Sequence, residues 1–302
     1  MNILITGATG FIGKSFLKYI KEQKLFEQDN IILLSSKKID DYQCILHNNY
    51  TFTKEDFIKS GINAIDIVFH LGAAAPKTKN EFGVEFGYKF STNVINTAYL
   101  LNNLPSVPSK FIFISSTSVY KQEAKIDENT LIQTEDLYGA SKILCEKYLE
   151  EKSRELGFTL QILRLGQIYG EGEESYSKIV SFFVKQILND KPITVFGTGN
   201  ETRSMLYVKD CVKCIAKAVD FDEYIGPCNI ASSQSIAVNE LVSLIYKILK
   251  KPENVTINSE YNSTSVLYNN SKMKKYYKID ETPIELGIEN YVKYYEELLC
   301  KL

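Results

Sequence analysis

Short apolar runs alternate with helix-patterned segments over the first half of the chain. Continuous runs of Ile, Val, Leu and Phe are typical of strands that are buried on both faces of a parallel sheet. The runs are Asn2 to Thr6, Ile31 to Leu34, Cys44 to Leu46, and those that begin at Asp66, Lys110 and Thr159. Between them, apolar residues recur at helical spacing, notably over 11–22, 81–103 and 138–155. This alternation predicts βαβ units and a doubly wound α/β fold.

The pattern changes after about residue 166. Loops rich in Gly, Ser, Asn and Glu appear, such as 170–178 and 196–204, and the regular alternation of strand and helix ends. We therefore predict an α/β domain over 1–165 and a smaller, mainly helical substrate lobe over 166–302. Some strands of the second part are allowed to return to the main sheet.

The charge balance argues against several partners. The chain has 35 Lys+Arg against 37 Asp+Glu, and these charges are interspersed, so no basic surface for nucleic acid is predicted. No apolar run approaches the roughly 20 residues of a membrane span, and the N-terminus lacks a basic signal leader. We expect a cytoplasmic protein with neither nucleic-acid nor membrane partners.

The six cysteines are then expected to be reduced thiols. Cys211 and Cys214 form a Cys-x-x-Cys pair, but both lie on the apolar side of a predicted helix. A structural zinc site needs four ligands, and no second pair exists in the sequence. No metal site is predicted.

Three glycines separate the first strand from the first helix. Small residues here let the backbone turn tightly and approach a pyrophosphate, which the helix N-terminus then binds. The alternative is a tight turn that only packs the helix on the strand. We predict a Rossmann dinucleotide loop whose cofactor contacts are Gly7, Thr9, Gly10, Phe11, Ile12 and Gly13.

The tip of the second strand, 33–38, reads LLSSKK. An acid at this tip commonly binds the adenine ribose and repels a 2′-phosphate. Here Ser35 and Ser36 can donate hydrogen bonds to phosphate, and Lys37 or Lys38 can pair with its charge. The tip therefore favours NADP(H), with NAD(H) left open; an ordinary solvated turn is the alternative.

Tyr138 and Lys142 lie four residues apart at the start of a predicted helix, on one face. A free tyrosine has a pKa of about 10. To act as a base near neutral pH, its pKa must fall by about three units, which corresponds to about 4 kcal/mol of stabilisation of the phenolate. A cation about 6 Å away, at an effective dielectric of about 20, supplies about 3 kcal/mol. The spacing suits a tyrosine base assisted by a lysine, although it also arises by chance on half-buried helices.

Eight motifs in order make the chain resemble an extended short-chain dehydrogenase/reductase of the nucleotide-sugar epimerase, dehydratase and reductase group. The resemblance covers essentially the whole length. The motifs are GATGFIG (7–13), VFHLGAAA (68–75), Asn93 in STNVINTAYLL, ISSTSVY (114–120), YGASK (138–142), LRLGQIYG (163–170), VFGTGNETRSMLYVKD (195–210) and CNIASSQSI (228–236).

The resemblance implies a catalytic set of Ser116, Tyr138 and Lys142. Ser116 would bind the reacting oxygen of the sugar, and Tyr138 would pass a proton to or from it while the nicotinamide exchanges hydride. Lys142 would also bind the nicotinamide ribose. The remaining implied cofactor contacts are Asn49, Leu71, Gly72, Ala73, Asn93 and Ser115, and the implied substrate contacts are Thr117, Gln167 and Arg203.

One departure from the group narrows the reaction. The 4,6-dehydratases of this group carry an Asp-Glu pair directly after the catalytic Ser or Thr, where this chain has Thr117 and Ser118. Dehydration is therefore disfavoured. We expect reduction of a nucleotide-linked 4-keto sugar, with a 4-epimerase as the close alternative and a non-catalytic NADP(H) sensor as a minor one. The resemblance further implies a homodimer that pairs the helices over 81–103 and 138–155.

Overall fold

The computed structural model describes residues 1–76, 87–176, 178–260 and 264–300. Of the helix predicted over 81–103, residues 81–86 lie outside the described residues, and the rest forms a helix over Gly87–Asn102. The strands are β1 (Asn2–Thr6), β2 (Asn30–Ser35), β3 (Gln43–Leu46), β4 (Ile67–His70), β5 (Lys110–Ser116), β6 (Lys125–Ile126), β7 (Thr159–Leu165), β8 (Gln167–Tyr169), β9 (Ile193–Phe196), β10 (Thr202–Arg203), β11 (Met205–Tyr207), β12 (Cys228–Ile230), β13 (Ile236–Ala237), β14 (Val255–Asn258) and β15 (Leu267–Tyr268). The helices are α1 (Phe11–Glu22), α2 (Lys54–Lys59), α3 (Gly87–Asn102), α4 (Leu137–Leu156), α5 (Ile179–Leu188), α6 (Val208–Lys217), α7 (Val238–Leu249), α8 (Ser271–Tyr277) and α9 (Ile284–Leu299).

A seven-stranded sheet has the order β12-β7-β5-β4-β1-β2-β3. Its pairs β1·β2, β1·β4, β2·β3, β4·β5 and β5·β7 are all parallel. Strands β2 and β3 follow β1 on one side of the sheet, and β4, β5 and β7 follow on its other side. The doubly wound α/β fold predicted from the apolar runs is therefore confirmed, and the order of strands reverses between β1 and β4. In such sheets ligands bind where the carboxyl ends of the strands flank this reversal.

Helices cover both faces of this sheet, which explains why its strands are apolar throughout. On one face, α3 and α4 contribute Leu100 and Leu149 to a buried cluster with Phe111 of β5. On the other, Phe16 of α1 packs against Phe69 of β4, with ring centres 4.8 Å apart. Strands enclosed in this way have no solvent-facing positions, so they lack the polar alternation of a half-exposed strand.

The chain divides into two compact units. The first comprises Met1–Lys121, Leu131–Leu165 and Val212–Cys228, and the second comprises Gln122–Thr130, Gly166–Cys211 and Asn229–Leu302. In the second unit, short strands pair as β8·β11, β9·β14, β10·β13 and β6·β15 beside α5, α7, α8 and α9. We keep the division at residue 165 as a proposal, with 122–130 and 212–228 as the segments that depart from it.

Two findings concern membrane and metal partners. Among the helices of the described residues, none has the length and apolarity to cross a membrane. Cys211 and Cys214 are fully buried on α6, and the described part of the chain contains no cluster of His, Cys, Asp and Glu suited to a metal ion.

Candidate active site

The start of α4 is fixed by a side-chain cap and a glycine. Asp136 precedes the helix in an extended conformation, and its Oδ1 accepts the Gly139 N–H at 2.6 Å. A Cβ on Gly139 would lie 2.3 Å from the Ser118 carbonyl oxygen, so only glycine allows α4 to pack this closely. Tyr138, in the first turn of α4, is thereby held beside the 3-10 turn Thr117–Val119.

Lys142 is buried one turn further along α4. Its Nζ donates to the Ile114 carbonyl at 2.8 Å and lies 5.8 Å from the centre of the Tyr138 ring. Burial lowers the pKa of Lys142 to about 8, against the opposing effects of Cys145 and Glu146. The structure thus brings a buried amine close to Tyr138, as the spacing of the two residues predicted.

Ser116 ends β5 and caps the turn that follows it. Its Oγ accepts the Ser118 N–H at 3.1 Å and donates to the Ser118 Oγ at 3.1 Å. Thr117, predicted to contact substrate, is 9% exposed in the same turn. Because Lys142 binds the carbonyl of Ile114, two residues upstream, Ser116, Tyr138 and Lys142 gather around the carboxyl end of β5. Their catalytic roles stay predictions.

The predicted glycine loop forms a close backbone contact with the segment after β4. Gly7 has φ +72°, and a Cβ there would lie 2.5 Å from the Gly72 nitrogen. A Cβ on Gly13 would lie 2.1 Å from the Gly7 carbonyl oxygen, so helix α1 rests directly on the loop. Leu71, Gly72 and Ala73 therefore meet the loop at the reversal between β1 and β4.

The N-terminus of α1 faces this loop. Gly10 precedes the helix, its first turn holds no acid, and no side chain among the described residues caps it. Backbone N–H groups and the helix dipole are then available for an anion. Thr9 is exposed and Ile12 is half-buried at this end. The residues present fit the pyrophosphate of a dinucleotide.

The residues at the tip of β2, which were predicted to bind a 2′-phosphate, differ in their exposure to solvent. Ser35 is buried, and its Oγ accepts the Lys37 N–H at 3.2 Å, so this hydroxyl closes the turn. Ser36 and Lys37 are exposed. Asn49 is also exposed, with φ +48°, in the turn that follows β3 beside β2. The tip therefore offers Ser36 and Lys37, rather than Ser35, to a ligand.

Two predicted cofactor contacts have side chains that are committed to the protein itself. Asn93 Oδ1 accepts the Ala74 N–H at 2.7 Å, and its Nδ2 donates to the Ala74 carbonyl at 3.0 Å and the Ser141 Oγ at 3.1 Å. Ser115 donates its hydroxyl to Glu146. Through these bonds Asn93 holds the loop after β4 on α3 and α4, and its contact with the cofactor stays a prediction. The bond from Ser115 to Glu146 joins β5 to α4.

A buried ion pair that holds α4 was missed from the sequence. Arg164 binds Glu146 with both arms of its guanidinium, at 2.9 Å (Nε to Oε1) and 2.6 Å (Nη2 to Oε2). Its Nη1 donates to the Tyr120 hydroxyl at 2.8 Å. The signal was an arginine within the apolar strand TLQILRL, because a buried charge requires a partner. The pair ties β7 to α4 one turn beyond Lys142.

The predicted substrate residues of the second unit lie on two strands, Gln167 on β8 and Arg203 on β10. Gln167 begins β8 and is in register with Met205 of β11, and Arg203 precedes Met205 by two residues. The Arg203 Nη1 donates to the Thr202 and Thr264 carbonyls at 3.1 and 2.9 Å. Burial lowers the pKa of Arg203. Gln167 and Arg203 thus both lie in the second unit, and their substrate contacts stay predictions.

A family-wide comparison decides what this arrangement represents. The model of the NAD dependent epimerase/dehydratase family matches residues 3–231, well over half of the chain. The chain belongs to this family. The resemblance stated from eight motifs is confirmed, and with it the class of nicotinamide-dependent short-chain dehydrogenase/reductase enzymes.

Members and relatives of the NAD dependent epimerase/dehydratase family resemble the chain over most of its length. It is 30% identical to the uncharacterized UDP-glucose epimerase YtcB of Bacillus subtilis strain 168, covering 82% of each chain. It is 27% identical to the dTDP-4-dehydro-6-deoxyglucose reductase of Escherichia coli, again over 82% of each. The crystal structure of the UDP-glucose 4-epimerase of Thermotoga maritima with UDP-glucose superimposes with a TM-score of 0.83 at 25% identity, covering 99% of this chain and 100% of that one.

Proposed function

We propose that the protein is an NAD-dependent 4-epimerase of a nucleoside diphosphate sugar. The observation that carries this proposal is the gathering of Ser116, Tyr138 and the buried Lys142 at the carboxyl end of β5. The glycine loop at the end of β1, two strands away in the sheet, offers a place for the dinucleotide. The similarity to YtcB and to the Thermotoga maritima 4-epimerase supports this choice over the reductase expected from the sequence.

Tyr138 is the proton carrier in this proposal. Its phenolate takes the proton of the sugar 4-hydroxyl, and the Lys142 charge 5.8 Å from the ring centre stabilises that phenolate. Ser116 donates a hydrogen bond to the same sugar oxygen. When bound, the nicotinamide supplies the exchange of hydride with C4 of the sugar. With the keto sugar turned so that the hydride would return to the opposite face of C4, Tyr138 would return the proton to the same oxygen, and C4 would be inverted without net oxidation.

The residues after Ser116 argue against elimination of water. Thr117 and Ser118 carry hydroxyls where a dehydratase of this group has a carboxylic acid and a carboxylate. An unassisted hydroxyl does not release a proton near neutral pH, so it cannot serve as the acid of an elimination. The proposed chemistry is limited to oxidation and reduction at C4.

We propose that Arg203 and Gln167 bind the diphosphate of the substrate. A guanidinium offers paired N–H donors that match phosphate oxygens, and the amide of Gln167 on β8 offers a further donor. The base and the sugar are left to experiment, beginning with UDP-glucose because of the names of the relatives.

A second candidate is net reduction of a 4-keto sugar with NADPH. Exposed Ser36 and Lys37 at the tip of β2 favour it, since a cation and a hydroxyl can bind a 2′-phosphate there. The similarity to the Escherichia coli reductase also favours it. Ser35 is buried at this tip, which weakens one of the contacts on which the NADP preference rested.

We also propose a homodimer formed through α3 and α4. These helices pack against each other, and each carries an exposed apolar stripe with a spacing of seven residues. On α3 the exposed fractions are 76% for Tyr88 and 62% for Ile95, and on α4 they are 40% for Leu137 and 57% for Leu144. Apolar residues repeated on one face of a helix pair suit a second copy of the same pair.

The experiment that tests the function begins with denaturation of freshly purified protein and mass spectrometry of any released nucleotide. Retained NAD, together with interconversion of UDP-glucose and its C4 epimer without added cofactor, is the expected result. A protein that holds no NAD and consumes NADPH in step with a 4-keto sugar would instead establish the reductase. Tyr138→Phe should abolish either activity.

A further inference from the structure

His70, the last residue of β4, is buried, and each of its two ring nitrogens contacts a threonine hydroxyl. Its Nδ1 lies 2.7 Å from the Thr6 Oγ1, and its Nε2 lies 3.0 Å from the Thr97 Oγ1. Burial, with a smaller contribution from the charge of Lys142, lowers the pKa of His70 to about 3, so the ring is neutral. Cys145 Sγ approaches the Thr97 Oγ1 at 3.5 Å from α4. None of the proposed chemical steps uses this histidine.

The neighbours of His70 permit one direction for its hydrogen bonds. Thr97 donates its hydroxyl hydrogen to the Asn93 carbonyl at 2.7 Å, so its oxygen must accept from the His70 Nε2–H. The Nδ1 is then an acceptor, and the Thr6 hydroxyl donates to it. The Thr6 oxygen in turn accepts the Gly72 N–H at 3.0 Å. A single neutral tautomer, with hydrogen on Nε2, satisfies every group.

One end of this chain of hydrogen bonds is the cofactor loop. Thr6 directly precedes Gly7, and the Gly7 backbone is pressed against the Gly72 backbone. The bond from Gly72 to Thr6 therefore fixes the two segments that would enclose the pyrophosphate.

The other end is the catalytic helix. Asn93, whose carbonyl receives the Thr97 hydroxyl, donates its amide to the Ser141 Oγ at 3.1 Å, and Ser141 donates to the Tyr138 carbonyl at 2.7 Å. The same amide binds the backbone of Ala74. We call the whole series, from the Gly72 N–H through His70 to the Tyr138 carbonyl, the buried polar chain.

We propose that His70 is a positioning residue, which sets the cofactor loop against the catalytic helix through the buried polar chain. This rests on the proposed function, in which the loop holds NAD and Tyr138 carries the proton. A hydrogen-bond chain in one fixed direction defines the separation of its ends more closely than apolar packing does. A shift of about 1 Å between reacting groups can cost about a hundredfold in rate, so such a chain affects turnover as well as stability.

Thr97→Val is the variant that tests the proposal. Valine keeps the shape of threonine but leaves the His70 Nε2–H without its acceptor and removes the hydroxyl bond to the Asn93 carbonyl. Thr97→Ser restores the hydroxyl and serves as the conservative variant. Val68→Ala is the control for lost packing, because Val68 is fully buried two residues before His70 and makes no hydrogen bond of the buried polar chain through its side chain.

Three quantities are measured on each variant: the tautomer of His70 by two-bond ¹H–¹⁵N NMR, the NAD affinity of the emptied protein, and kcat. The only other histidine is His47, so a His47→Gln protein assigns the spectrum. We expect the Nε2–H tautomer in wild type and Thr97→Ser. In Thr97→Val we expect mixed tautomers, weaker NAD binding and a kcat reduced about tenfold or more. Val68→Ala should keep the wild-type values of all three.

Unchanged NAD affinity and kcat in a folded Thr97→Val protein would overturn the proposal and reduce the chain to a satisfied polar core. An Nδ1–H tautomer in wild type would overturn it as well. If Thr97→Val does not fold, Ser141→Ala breaks the chain nearer Tyr138 and is held to the same outcomes. Failure of the proposed function would be separate, since an inactive wild type would still report through the tautomer and NAD affinity.

Discussion

The Lys142 charge should control the pH at which Tyr138 works as a base. The ammonium lies 5.8 Å from the centre of the Tyr138 ring, within the first unit of the chain. At an effective dielectric of about 20, a unit charge at that distance stabilises a phenolate by about 3 kcal/mol, or about two pKa units. Lys142→Met keeps most of the side-chain length and removes the charge. The apparent pKa of the catalytic base should therefore rise by about two units.

The assay is kcat/KM against pH for interconversion of the C4 epimers. Because rate requires the phenolate, the acid limb of the profile reports the base, and in Lys142→Met this limb should move about two units upward. In wild type the Lys142 amine itself loses its charge as pH rises through about 8, so its help declines above that pH. Lys147→Met is the matched control, since Lys147 lies on the same helix with a side chain 72% exposed.

The reasoning would be refuted by a folded Lys142→Met protein whose acid limb stays at the wild-type pH. A uniform loss of rate at every pH would instead assign Lys142 to binding alone. A shift of equal size in Lys147→Met would show that the effect comes from net charge and not from the buried position.

Three further predictions follow from packing and charge. Gly139→Ala places a methyl group 2.3 Å from the Ser118 carbonyl, so α4 must move; we expect a folded protein with a kcat at least about tenfold lower. Arg164→Met leaves Glu146 buried without its partner and should reduce the free energy of unfolding by about 3–5 kcal/mol in chemical denaturation. Ile95→Arg puts a charge in the exposed stripe of α3 and should convert a dimer to monomer in light scattering; an unchanged mass would contradict the proposed interface.

Local pattern was sufficient wherever one element decides the structure. Helix α1 spans the residues predicted for it, since glycines precede it and apolar residues recur on one face. The continuous apolar runs correctly indicated a sheet covered on both sides. The i, i+4 spacing of Tyr138 and Lys142 correctly placed them together, because helix geometry alone fixes that distance.

Contacts between distant segments could not be read from spacing. Asn93 was assigned to the cofactor because its position resembles the family, and its spacing gave no sign that its amide also binds Ala74 and Ser141, 48 residues away. The partner of Arg164 was equally hidden, since Glu146 lies on a different element. The NADP preference relied on Ser35, Ser36 and Lys37 or Lys38, and only the folded turn shows that Ser35 is buried.

The most direct test of the central claim follows the hydrogen on C4. A nucleoside diphosphate sugar carrying deuterium at C4, beginning with UDP-glucose, is incubated with the protein in ordinary water without added cofactor, and the product is analysed by NMR and mass spectrometry. An epimerase that passes hydride to its own bound NAD and back gives the C4 epimer with deuterium retained at C4. Deuterium lost to solvent, or no reaction until NADPH and a 4-keto sugar are supplied, would contradict the account.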